Sequence, residues 1–281
     1  MQNGPRFLTD QDISTVYTTT VPAGAVANDL GQDQLGARGI TADGREFRYA
    51  NIGGTSSVPA GTLLQQAAAP SNSTALTITA VGTGGQATAN LAAGSTVIVL
   101  SNTSSTAFTQ DQFAGGYLQV TQTSGATTQA AYRISGNSAA GAGNVTTTYI
   151  TVQLFPTDAL RNTVALVAGT DTCNLVYNPW WAVASSTTDL LAAGVLPITA
   201  VPASGTYAFA WLQTRGDCLT QLDGTSGGVT AGGVLANSTT TAGDVTAWLG
   251  AGLSHGSAQM IGVARATTSA SATCSTFLTI D

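Results

Sequence analysis

Apolar and polar positions alternate in short runs along this chain. Thr74–Val81 (TALTITAV) alternates over much of its length, and Thr96–Leu100, Tyr117–Thr121, Ala131–Ile134 and Tyr149–Phe155 follow it closely. Further runs stand at Val164–Ala168, Thr172–Tyr177, Ala208–Gln213, Met260–Ala266 and Cys274–Ile280. Gly, Ser and Asn clusters separate them, which is the pattern of antiparallel sandwiches and barrels. Helical periodicity is weak: Thr188–Ala193 and Asp244–Leu249 each predict one turn, with Gly close behind. The predicted fold class is all-β, with antiparallel sandwich- or barrel-like domains and an extended N-terminal arm that contains a β-hairpin.

Pro and Gly place the expected boundaries. Residues 1–70 read as an N-terminal arm and docking section that ends at Gln65-Gln66-Ala67-Ala68-Ala69-Pro70. Residues 73–178 hold a dense strand series and form a β domain. After the corner Asn178-Pro179-Trp180-Trp181, residues 179–281 form a C-terminal β section. The Thr/Ala/Gly stretch Gly224–Gly243 buries little surface per residue and is expected as a surface loop.

One N-terminal segment stands apart. Asp43-Gly44 is a hairpin signal, because both central residues of a type I′ turn need positive φ. Beyond it Arg45, Phe47 and Tyr49 share one strand face, and Glu46, Arg48 and Ala50 the other. Arg38, Arg45 and Arg48 supply three of the chain's eight cationic side chains within this short stretch. Two readings stand: a solvated hairpin with local ion pairs, or a surface that docks on an acidic neighbour with Phe47 or Tyr49 as anchor.

Composition narrows the function classes. Charged residues make up 8% of the 281 residues, against about 25% in an ordinary soluble domain. All eight Lys+Arg positions are arginine, so the chain has no lysine. A net charge of −6 and the absence of any basic run exclude a nucleic-acid partner, since nothing replaces phosphate counterions. No stretch nears 18 unbroken apolar residues, so no transmembrane helix and no membrane partner are expected. The residues from Met1 onward hold no apolar core of signal-peptide length, so no export signal is expected. Cys173, Cys218 and Cys274 are far apart and are expected as small buried thiols, with one bridge plus a leftover as the lesser option. They give no metal-ligand set, and no metal or cofactor is expected. A lysine-free, Thr- and Gly-rich chain without an export signal fits proteins assembled inside a cell and exposed on lysis, namely virion components.

Catalytic motifs occur without their settings. Gly82-Thr83-Gly84-Gly85-Gln86-Ala87 matches a dinucleotide fingerprint, but the helix that must follow breaks at Gly94. Gly224-Thr225-Ser226-Gly227-Gly228 matches a nucleophile elbow, yet Val229-Thr230-Ala231-Gly232-Gly233 makes a poor helix. Any triad would need His255, the only histidine, which reads as a loop residue. Asp10/Asp12, Asp29/Asp33 and Asp217/Asp223 are the nearest carboxylate pairs and read as solvated turn residues. The expectation is a chain that is not an enzyme. Trp211 shares a strand face with Tyr207 and Phe209 and reads as core, whereas Trp180 and Trp181 suit an interface or a glycan platform.

The order Leu35-Gly36-Ala37-Arg38, Asp43-Gly44-Arg45-Glu46-Phe47-Arg48-Tyr49-Ala50, Gly53-Gly54 and Pro59-Ala60-Gly61-Thr62-Leu63 resembles a pattern in tailed-bacteriophage virion structural proteins. The similarity covers roughly residues 35–65; beyond it only the β-rich, lysine-free composition is similar. The resemblance implies a capsid decoration (cement) protein, often a trimer, assembled in the host cytoplasm and carried on the capsid surface. It implies the major capsid protein and neighbouring copies as partners, and no catalytic residues or cofactors. Arg38, Arg45, Phe47, Arg48, Tyr49, Trp180 and Trp181 are then the expected contact residues, and residues 1–70 are expected to be removable without loss of the β domains. The alternative is a tail or surface adhesin that binds glycans through Trp180 and Trp181.

Overall fold

The computed structural model describes residues 5–20, 33–67, 76–78, 93–102, 107–122, 128–140, 148–161, 172–187, 190–202, 206–224, 228–248, 259–269 and 272–280. Its first elements are β1 (Arg6–Leu8), α1 (Asp10–Ile13), β2 (Tyr17–Thr20), β3 (Arg38–Thr41), β4 (Glu46–Ile52) and β5 (Leu63–Gln65). A middle series follows: β6 (Leu76–Ile78), β7 (Val97–Asn102), β8 (Tyr117–Gln122), β9 (Thr128–Asn137), β10 (Thr148–Leu154) and β11 (Thr172–Val176). The last are β12 (Ala192–Val195), β13 (Thr206–Gln221), β14 (Val234–Asn237), β15 (Val245–Ala247), β16 (Met260–Ala264) and β17 (Thr273–Thr279). The fold is all-β, as the alternation predicts.

The chain divides into two compact units, one of which interrupts the other. The first holds Met1–Val21, Asp29–Ala67 and Pro179–Asp281; the second holds Pro22–Asn28 and Ala68–Asn178. In the second unit the strands close into a barrel in the order β10-β7-β6-β11-β8-β9, every pairing antiparallel. Along β8 the side chains of Leu118 and Val120 point inward while Tyr117 and Gln119 are exposed, which is the period of two that closes a small barrel on its own side chains. Ile98, Leu100, Phe113, Ile134, Ile150 and Val152 fill the interior.

In the first unit the sheet runs β1-β3-β4-β13-β17-β16-β14-β15, with β2 and β12 also on β13 and β5 on β12. Sixteen-residue β13 is its spine. The N-terminal and C-terminal sections therefore build one sheet, and β4 lies in its interior between β3 and β13 over a seven-pair ladder. Tyr49, Phe47, Phe209 and Trp211 are among the largest fully buried side chains, each worth roughly 1.5–3 kcal/mol of transfer free energy. Tyr49 stacks on Phe209 and tilts against Trp211, with ring centroids 5.9 and 5.1 Å apart.

Several local expectations are corrected. Neither predicted helical turn forms among the described residues: Asp244–Leu249 holds β15, and Thr188–Ala193 runs into β12 at Ala192; both strands are fully buried, and burial in a sheet overrides a weak helical pattern. The α-helix among the described residues, α1, rests on a capping box in which Thr9 and Asp12 satisfy each other's backbone N–H groups. Gly224–Gly243 is not all surface loop, because β14 runs through it with Leu235 and Ala236 at zero exposure. The run Val164–Ala168 lies outside the described residues.

Candidate docking groove

The hairpin predicted at Asp43-Gly44 forms, with a different turn. Gly44 N–H donates to Thr41 O (2.9 Å) and Thr41 N–H to Arg45 O (3.0 Å), and Gly44 alone of the loop has positive φ, at 83°. This is a three-residue loop, a type I turn closed by a left-handed glycine. It delivers Arg45 onto β13 at Gly216, where φ is 93° and a Cβ would sit 3.0 Å from Arg45 Cγ, so glycine is required twice over.

Charges gather where this hairpin meets β13 and β17. Arg38 donates from Nε and Nη2 to Glu46 Oε2 at 3.0 and 2.7 Å, and Arg215 Nη1 donates to Glu46 Oε1 at 3.3 Å. Arg45 Nε donates to Asp43 Oδ2 at 2.7 Å, and Arg265 Nε pairs with Asp217 Oδ1 at 3.1 Å. Arg45 also lies over the Phe47 ring and Arg265 over Phe277, at 5.7 and 5.9 Å. The Asp43 carboxyl is held below its ordinary range, first by the Thr41 hydroxyl and then by Arg45, against partial desolvation. Four of the chain's eight arginines thus meet three carboxylates, a net-positive cluster on a chain of net charge −6.

Two depressions adjoin at this cluster. One, of about 600 Å³, has apolar walls from Ala60, Gly61, Val195, Pro197 and Leu219. The other, of about 690 Å³, is lined by charged groups including Glu46 and Arg215, and Arg45 and Asp217 border both. Leu219 is 61% exposed, a large apolar side chain presented to the groove. Beside it, burial, then Asp217 and Cys274, push the Cys218 thiol up to about 12, which keeps it protonated at neutral pH.

The structure divides the expected contact residues. Arg38 and Arg45 belong to the cluster. Phe47 and Tyr49 have zero exposure, so their assignment as partner anchors is corrected: β4 is interior, and both its faces are covered within this chain. Arg48 turns elsewhere, donating to Gly36 O at 3.2 Å and lying over the Trp180 ring at 5.8 Å. Trp180 is half-buried against Gly36, and Trp181, 9% exposed, packs on Tyr207 at 5.2 Å, so Trp181 is corrected to a core residue. The corner is strapped to β4 by Asn51, which accepts from Ala182 N–H and whose own N–H donates to Trp180 O. Arg215, Arg265, Asp217 and Leu219 join the site only through strand register, which no local motif announces.

Among the other candidates, Asp223 is not a solvated turn residue: it is 2% exposed and accepts from the hydroxyls of Ser238, Thr240 and Thr241. Asp12 and Asp33 pair with Arg6, and Asp29 lies outside the described residues. Gly82–Ala87, Thr225–Gly227 and His255 also lie outside them. Among the described residues, no three or more His, Cys, Asp or Glu side chains group as metal ligands, and no helix is long and apolar enough to cross a membrane. Comparison with protein-family models, with curated proteins and with solved structures finds no match to this chain.

Proposed function

We propose that this chain is a structural protein of a tailed-bacteriophage virion that decorates the capsid and stabilises it by binding the major capsid protein and neighbouring copies, as a trimer. The observation that carries this reading is the meeting of two independent features. The segment that resembles phage virion proteins is the one that forms the hairpin, and that hairpin carries Arg38 and Arg45 to the net-positive cluster beside an apolar groove. Paired but half-exposed guanidiniums next to an open leucine give a surface that recognises a carboxylate-bearing neighbour. Each contact needs to contribute only about a few kcal/mol, because many copies act together on one shell. The glycan reading loses its platform, since Trp181 is core and Trp180 is engaged by Arg48 and Gly36.

The test is co-sedimentation of the purified chain with purified undecorated shells. The chain pellets with shells at stoichiometric saturation, and the double variant Arg45→Glu/Arg215→Glu stays in the supernatant. Wild-type chain left in the supernatant while the shells pellet would sink the proposal.

A further inference from the structure

Part of the β13 backbone inside the groove lacks hydrogen-bond partners among the described residues. Opposite β17, residues 215 to 221 pair in unbroken register. Ser275 O accepts from Arg265 N–H at 2.7 Å, on the β16 side, so Leu219↔Ser275 is a non-hydrogen-bonded pair and Leu219 turns its peptide groups away from β17. The same alternation turns Asp217 and Gln221 that way, and Gln221 N–H does donate to Gly61 O at 3.1 Å. Two carbonyls on this edge are provided for, since Gln213 Nε2 donates to Arg215 O and Asp217 O at 3.2 and 2.9 Å; Leu219 O is not, because the Gly61 N–H beside it donates to Leu196 O at 2.8 Å. The N–H groups of Asp217 and Leu219 have no partner among the described residues. Neither do the Arg45 Nη groups, because Asp43 takes only its Nε–H.

The edge therefore offers donors at Asp217 and Arg45 and both an N–H and a carbonyl at Leu219, the pattern that an added strand satisfies. From Arg45 at Gly216 to Gly61 at Gln221 it runs five residues of β13, roughly 17 Å at about 3.4 Å per residue. Val195, Pro197 and Leu219 flank it with apolar surface. A free inorganic anion would leave that surface bare. The Arg45 Nη groups, left without an acceptor at the charged end, call for an occupant that carries a carboxylate.

We propose that the groove binds an extended acidic segment of a partner protein. A main-chain carbonyl of that segment accepts the Leu219 N–H, an aliphatic side chain lies on Leu219 and Val195, and a carboxylate meets Arg45 at the charged end. The chemistry stands on the groove; that the segment belongs to the shell subunit rests on the function proposed above.

Residue-resolved amide exchange on the full chain tests it, with and without a capped hexapeptide of alternating threonine and valine that ends in two aspartates. In the free chain the Asp217 and Leu219 amides exchange at least about tenfold faster than those of Cys218 and Thr220, which face β17. The peptide slows Leu219 at least about tenfold, and the effect is lost when the peptide aspartates become asparagines or its backbone is N-methylated. A Leu219 amide already slow in the free chain, no slowing with the peptide, or equal slowing by the N-methylated peptide would each overturn the proposal. Protection that grows with protein concentration alone would also overturn it, by making a second copy the occupant. A chain absent from virions whose groove still takes the peptide would refute the capsid role and leave the groove intact.

Discussion

The ladder between β4 and β13 ends at one pair, Glu46 and Arg215, and their side chains meet across it at 3.3 Å. Glu46 is 8% exposed and also holds Arg38, so one carboxylate ties three strands together and shapes the charged end of the groove. Glu46→Ala leaves two guanidiniums without their acceptor and is expected to cost about 2 kcal/mol. Urea unfolding monitored by tryptophan fluorescence measures it. A loss below a few tenths would mean that the ion pairs are solvated ornament.

The two units differ in what truncation does to them. Removing residues 1–70 takes β1 to β5, and with them the whole ladder that covers one edge of β13. The expectation that this section is removable is thereby corrected: the truncated chain is expected to lose the first unit's cooperative unfolding. Residues 68–178 close a barrel on their own core and are expected to fold as an isolated fragment. Gly116→Ala, whose Cβ would lie 2.1 Å from Val176 O, is expected to unfold that fragment. Circular dichroism melts of the fragment and its variant check both outcomes.

Acid affects two carboxylates in opposite directions. Asp244 has its pKa raised above 3.8 by burial and then by Asp223, so the folded chain takes up its proton more readily than the unfolded one. Its charge opposes folding at neutral pH, and that penalty fades as pH falls through the raised value. Asp43, held below 3.8, contributes stability above that value and loses it as pH falls through its lowered folded value. Asp244→Asn is expected to raise Tm by about 2 °C at pH 7 and to remove the part of the pH dependence that comes from this raised carboxyl. An unchanged Tm at pH 7 would show that Asp244 is fully solvated.

All three cysteines are free, with Cys173 and Cys274 buried and Cys218 pushed up to about 12. A thiol reagent at pH 8 is expected to find no rapidly reacting group in the folded chain and three after denaturation. One fast thiol would place Cys218 in solvent.

Strand positions were legible wherever alternation was strong, as at Tyr117–Thr121 and Cys274–Ile280, because inward and outward sides differ in polarity. They were not legible at β12, β14 and β15, whose small or apolar residues are buried on both faces and carry no period. Phe47 and Tyr49 looked like anchors for the same reason: an aromatic beside arginine on a hairpin reads alike whether the next layer is a partner or the chain's own β13. Arg38 and Arg45 were visible as a local concentration of charge. Arg215 and Arg265 were not, since only pairing across more than a hundred residues brings Arg215 to Glu46.

A cryo-EM map of tailed-phage particles from cells that produce this chain decides most directly whether it works as a capsid-binding subunit. The map is expected to show a two-unit β density on the capsid surface, with the Arg45 and Arg215 face turned to an extended segment of the shell. Particles bare of such density, in preparations where the chain is made and folded, would contradict it.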